Sequence, residues 1–180
     1  PKLDCEPKID LFKKFVFDLS NRDEDIFTEL EDILAHDLQK PHENRTFCVV
    51  MHSPQGVGKS LFMHFVEKLH GSHNCKRVDP EMLVDRYRPF LKNGYVLICN
   101  EVNISGHNLQ YKLAKLKDLI DGEVHAIEGK YVDTIQHRCH YRLYCATNEL
   151  IPFEITNDDR RTLYIDIDLT KQELEKEDPQ

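Results

Sequence analysis

Eight consecutive residues carry the densest chemical signal in the chain: Ser53-Pro54-Gln55-Gly56-Val57-Gly58-Lys59-Ser60. They fit the spacing G-x-x-x-x-G-K-[ST], with serine at the first position. Glycines at 56 and 58 let successive backbone N–H groups curl around phosphate oxygens. A helix starting at the end of this loop aims its positive end at the same anion. In that pattern Lys59 reaches the outer phosphates and the Ser60 hydroxyl binds Mg²⁺. The nucleotide-contacting stretch extends from Ser53 through Leu61. Ser53 leaves the first turn less conformational freedom than glycine would. The alternative is a chance glycine-rich turn. An apolar strand before the loop and a helical pattern after it argue against that.

Three further segments could bring polar groups to the same place. Tyr95–Cys99 is an apolar strand followed by Asn100 and Glu101. A carboxylate at such a strand end can polarise an attacking water, which makes Glu101 a candidate catalytic group. Asn100 stands where an acid usually helps to hold the metal. Its carbonyl accepts hydrogen bonds without supplying charge. The expected metal set is therefore Ser60, Asn100 and Glu101. Leu143–Thr147 is a second apolar strand, and it delivers Asn148, either as a γ-phosphate sensor or as the start of a turn before Pro152. The loop Asn157-Asp158-Asp159-Arg160-Arg161 offers two guanidiniums that could neutralise transition-state charge in a neighbouring copy's site. A solvated Asp–Arg pair is the plainer reading of that loop.

The elements that must position these groups are legible from periodicity. Residues 9–20 and 24–39 read as helices, the second with Ile26, Phe27, Leu30, Ile33, Leu34 and Leu38 at helical spacing. Asn21–Asp25 supply the cap between them, and Pro41 ends the second. Strands are expected at Thr46–His52, Tyr95–Cys99, Tyr141–Thr147 and Thr162–Ile167, with helices at 59–70, Pro80–Leu91 and 109–120. The last has an apolar stripe of Leu109, Leu113, Leu116 and Ile120. Val78 opens a short extended piece, and residues 123–138 read as a hairpin around Gly129. Apolar strands alternating with helices imply an α/β fold with a mostly parallel central sheet, covered on both faces. With 180 residues the chain is expected to form one domain around an unaided core.

Composition sets outer bounds. The net charge is −8, with 24 basic and 32 acidic residues. Residues 1–45 hold 7 basic and 12 acidic residues and residues 165–180 hold 2 and 6, so the middle of the chain is nearly neutral. Local basic elements there can still meet phosphates, while the overall sign argues against avid DNA binding by an isolated monomer. No apolar run approaches membrane-spanning length and no signal core opens the chain, so an intracellular, cytoplasmic protein is expected. It begins without Met, as a trimmed fragment would. The six cysteines include no C-x-x-C pair. Buried free thiols in a reducing compartment are expected. His70-x-x-His73-x-Cys75 and His137-x-Cys139-His140 lack the second half of a zinc site.

SPQGVGKS, LICNEVN, LKDLIDGEVHAIEGKY, CATNELIP and NDDRRTLYIDI, in this order from about Leu11 to Ile167, resemble the superfamily 3 helicases, close to the poxvirus- and phage-type primase–helicase group. The resemblance implies an AAA+-like P-loop NTPase core that hydrolyses ATP with Mg²⁺. It implies a viral or phage DNA-replication motor moving on single-stranded DNA as a homo-hexamer or other ring, with a primase or polymerase as a further partner. By position, Lys59, Ser60, Glu101 and Asn148 match its nucleotide site, and Arg160 and Arg161 its arginine-finger region. Lys117 and Lys130 fall in its additional motif. Lys130, Tyr131 and His137 fall on its DNA-contacting hairpin, with an ordinary solvated hairpin lysine as the plain alternative for Lys130. Residues 1–42 would be a helical collar for oligomerisation, 43–170 the core and 171–180 a charged tail. An ATP-binding assembly switch without unwinding is the alternative, since Asn100 would weaken catalysis. A small-molecule kinase explains the motifs less well.

Overall fold

The structure is a computed structural model, and it describes residues 9–43, 45–85, 87–92, 94–129, 132–150, 152 and 160–169. Two helices open it, α1 (Ile9–Leu19) and α2 (Glu24–Gln39). Asp23 caps α2, its carboxylate accepting from the Asp25 and Ile26 N–H groups at 2.9 and 3.1 Å. That satisfies two of the donors a helix start leaves over. β1 (Cys48–His52) leads into α3 (Lys59–His70), and β2 (Cys75–Val78) into the short α4 (Pro80–Val84). β3 (Val96–Cys99), α5 (Leu109–Asp121), the hairpin strands β4 (Val124–Gly129) and β5 (Val132–Arg138), β6 (Arg142–Thr147) and β7 (Thr162–Asp166) complete the order.

Five strands form one sheet in the order β2-β3-β6-β1-β7, and every neighbouring pair in it is parallel. The expected mixed α/β architecture with a mostly parallel sheet is therefore present. β1, β3 and β6 are apolar almost throughout because both faces are covered. Cys48, Val50, Leu97, Cys99, Leu143 and Cys145 pack with α5 on one face. Val49, Met51, Val96, Ile98, Tyr144 and Ala146 pack with α1, α2 and α3 on the other. β4 and β5 pair separately as an antiparallel hairpin. No helix among the described residues is long and apolar enough to cross a membrane.

Three elements depart from the periodicity. The helix expected over Pro80–Leu91 stops at Val84, and a 3-10 turn covers Pro89–Lys92. A proline at 89 disfavours helical backbone at the preceding residue. β2 was expected only as an extended piece from Val78. It is a short edge strand whose middle residues, Lys76 and Arg77, give it no apolar signature. On α2 the stripe runs through Asp37, which is fully buried, while Leu38 is 43% exposed.

Asp37 is buried because it anchors a charge cluster at the sheet's amino edge. Its Oδ2 accepts from Arg45 Nη1 at 2.8 Å and from the Tyr144 hydroxyl at 2.6 Å. Arg142 Nε lies 2.8 Å from Oδ1, an ion contact without hydrogen-bond alignment. Arg142 Nη2 donates to the Glu43 and Lys40 carbonyls at 2.6 and 3.2 Å, which ties the end of α2 to the start of β6. Burial pushes the Tyr144 phenol up and the Arg142 guanidinium down from their ordinary ranges. One carboxylate thus balances two buried cations. Removing it leaves both uncompensated, so Asp37→Ala should cost ~3–5 kcal/mol. A urea titration should show a much lower unfolding midpoint for Asp37→Ala than for Leu11→Ala, whose side chain lies on the surface.

Candidate functional site

The site is built at the carboxyl edge of the sheet, where β6 lies between β1 and β3. After β1 the chain turns through Gly56 (φ +90°) and Gly58 (φ +113°) into α3. Gly58 is the N-cap of α3 and provides no side-chain cap. The first N–H groups of a helix have no partners within it, so here they remain available to an anion. A Cβ at Gly58 would also come within 3.0 Å of Phe15 Cε2, so α1 packs directly beneath the loop. Both the torsion and that close approach demand glycine.

Lys59 is buried, and its ammonium is held inside the loop. Nζ donates to the Ser53 carbonyl at 2.6 Å, the Ser53 hydroxyl at 2.6 Å, the Pro54 carbonyl at 3.1 Å and Asn148 Oδ1 at 2.9 Å. Desolvation pushes its pKa below the usual lysine range. Thr147 sets the neighbouring strand end. Its hydroxyl donates to the Val102 carbonyl at 3.0 Å and accepts from the Glu149 N–H at 2.9 Å. The Val102 N–H in turn donates to the Ala146 carbonyl at 2.9 Å. These bonds pin the segment carrying Asn100 and Glu101 against β6. Glu101 takes left-handed backbone, φ +56°, a conformation that costs a non-glycine residue ~1–2 kcal/mol. Strain of this kind concentrates at functional sites.

A cavity of about 480 Å³ opens here, lined by residues 55–60, Asn100, Glu101 and residues 146–148. Residues up to 93 positions apart in the chain thus share one wall. Hydroxyl, amide and carboxylate oxygens from Ser60, Asn100 and Glu101 make a donor set suited to a hard divalent cation. The expected contacts at Ser53 and Pro54 sit behind the cavity and hold Lys59 from below. Leu61 points away and is 59% exposed.

The remaining expected residues lie elsewhere. Arg161 Nε pairs with Asp121 Oδ2 at 2.5 Å, and Arg160 is exposed; neither lines the cavity. His137 stands on β5 opposite His125. Lys130 and Tyr131, and Asn157–Asp159 of the arginine loop, fall outside the described residues. Thr147, Phe15 and Asp121 were not anticipated. Each acts through a partner remote in sequence, and no local pattern marks such a role. Among the described residues no group of three or more His, Cys, Asp or Glu side chains is placed to hold a metal.

Fold and cavity together define a mixed α/β protein with a phosphate-loop-like turn at the carboxyl edge of a parallel sheet. Residues 51–161 match the model of a family described as a family of unknown function, DUF5906, and the chain belongs to that family. It is also similar to the DNA primase-polymerase of Nitratiruptor phage NrS-1, 25% identical over 122 residues, which is 67% of this chain and 17% of that protein. Two solved structures of the NrS-1 C-terminal region share the fold. An apo structure has a TM-score of 0.76 at 23% identity, covering 87% of this chain and 38% of that one. An A-form apo structure has a TM-score of 0.72 at 21% identity, covering 93% and 41%. The chain thus spans well under half of each relative.

These findings correct the functional expectation drawn from the motifs. Assignment to the superfamily 3 helicases does not stand, nor does an ATP-hydrolysing, DNA-unwinding motor. The relatives are a DNA primase-polymerase and its C-terminal region. The AAA+-like P-loop NTPase class is likewise replaced by likeness to the NrS-1 C-terminal fold. The physical reason is that a strand–loop–helix motif is a local backbone pattern and does not specify the work a protein does with it. The loop geometry itself can be tested. Gly58→Ala should lower the thermal midpoint more than Gly106→Ala. Both positions have positive φ, but only Gly58 would press a Cβ against Phe15.

Proposed function

We propose that the loop from Ser53 to Ser60 binds the phosphate tail of a nucleoside triphosphate together with a divalent cation. In this reading the chain is the nucleotide-binding module of a DNA primase-polymerase-type replication protein. One observation carries it: Lys59, Asn148, Asn100 and Glu101, brought in by three parallel strands, converge on a single cavity. Backbone N–H groups at Gly56–Ser60 and the Lys59 ammonium would neutralise phosphate oxygens. Asn148 would donate its amide N–H to the outermost phosphate. Ser60, Asn100 and Glu101 would hold the cation, whose chemistry is to draw the outer phosphates together and offset their charge. ATP with Mg²⁺ is the finer assignment. It rests on the lysine–serine pair and the oxygen-only donor set.

Single-stranded DNA is the partner that fits a priming protein, and similarity to the NrS-1 DNA primase-polymerase supports it. Lys130, Tyr131 and His137 remain the proposed strand contacts, and residues 43–170 the proposed core. Self-association through residues 1–42, with Arg160 or Arg161 reaching a neighbouring copy, belongs to the same proposal. The exposed Ile9 and Leu11 on α1 favour it.

Titration with a fluorescent nucleoside triphosphate tests the reading. Wild type should bind in a Mg²⁺-dependent manner, and Lys59→Ala should weaken binding at least about ten-fold, the scale of losing charge-assisted hydrogen bonds. Glu101→Gln should reduce the Mg²⁺ dependence while leaving metal-free binding little changed. Equal affinity of wild type and Lys59→Ala would reject the assignment.

A further inference from the structure

The serine at position 53 stands where the loop pattern has glycine, and the structure gives its side chain a job. Ser53 is fully buried, and its hydroxyl donates to the Pro54 carbonyl at 2.8 Å. With its proton committed there, the oxygen can only accept from Lys59, which it does at 2.6 Å. A lysine ammonium has three N–H donors. Four acceptors crowd this one: two carbonyls, the Asn148 amide oxygen and the Ser53 hydroxyl. A glycine at 53 would leave three acceptors for three donors. The hydroxyl is therefore the surplus partner. Together with the Ser53 and Pro54 carbonyls it holds the ammonium against the loop's own backbone.

We propose that Ser53 is a latch on Lys59, holding the empty loop in a self-satisfied state that an incoming triphosphate must open. This inference rests on the nucleotide-binding reading and deepens it. The latch sets affinity, because each bond broken at Lys59 is subtracted from those formed with phosphate. Ser53 is a positioning residue that acts through Lys59 and needs no contact with the ligand. Its backbone N–H lies 3.4 Å from the Thr147 carbonyl, so the latch is braced by the strand that carries Asn148.

The test is a double-mutant cycle on the intact chain, with Mg²⁺–ATP and inorganic tripolyphosphate as probes. Ser53→Ala should bind both probes about three- to ten-fold tighter than wild type, the scale of one ordinary net hydrogen bond. In a Lys59→Ala background the same substitution should change nothing, which a merely structural role of Ser53 would not produce. Ser53→Cys, nearly isosteric with a weaker acceptor, should fall between serine and alanine. It keeps the test valid if alanine destabilises the loop. If wild type binds the triphosphate and both Ser53 variants bind it equally or more weakly, the latch is rejected while the site stands. If wild type binds neither probe, the site reading itself fails and takes the latch with it.

Discussion

Parallel pairing of β6 between β1 and β3 is the constraint on which everything at the site depends. All three strands run in one direction, so their carboxyl ends finish on one edge. Each end exposes different chemistry: a glycine turn with Lys59, the Asn100–Glu101 pair, and Asn148. The Thr147 hydroxyl and the Val102 N–H then lock the second and third of these together. Open parallel sheets place ligands at this edge for the same reason, because it is where loops from non-consecutive strands meet. The sheet order here moves from β1 across to β2 on the far edge and returns, leaving the crevice over β6.

The opposite edge carries the structural load. Asp37 gathers Arg45, Arg142 and Tyr144 in a dry cluster that fastens α2 and the chain before β1 to the start of β6. Both ends of β6 are thus restrained, one by buried charge and the other by hydroxyl and backbone hydrogen bonds. α1 contributes from the side through Phe15, which packs under Gly58 and links the helical segment to the loop. The loop is thus bounded on three sides by contacts from outside its own segment.

The comparisons separate what a loop can hold from what a protein does with it. The chain belongs to a family of unknown function and shares its fold with the C-terminal region of NrS-1. The motif order that resembles a ring helicase does not carry over into the relationships found. Relatives, not motifs, discriminate between the uses to which such a cradle is put.

Much of the architecture was readable from residue patterns. Continuous apolar runs at Cys48–Met51, Val96–Cys99 and Leu143–Ala146 mark doubly covered strands, and α3 and α5 follow from their caps and stripes. The loop from Ser53 to Ser60 was readable too, since glycine spacing next to lysine and serine is a local signal. Residues 76–77 concealed β2, because an edge strand needs no apolar alternation. Asp37 stands outside the apolar stripe read from its helix's sequence, and packing against Arg45 and Arg142 accounts for its burial. The Asn148 acceptor at Lys59 comes from a strand 89 residues away, which no local pattern reveals. Local sequence determined which groups the chain carries and which elements hold them. Tertiary structure alone decided which groups meet, because hydrogen bonds act over a few ångströms, and only the folded sheet brings Asn148 to Lys59 and puts Glu101 on the wall of the same cavity.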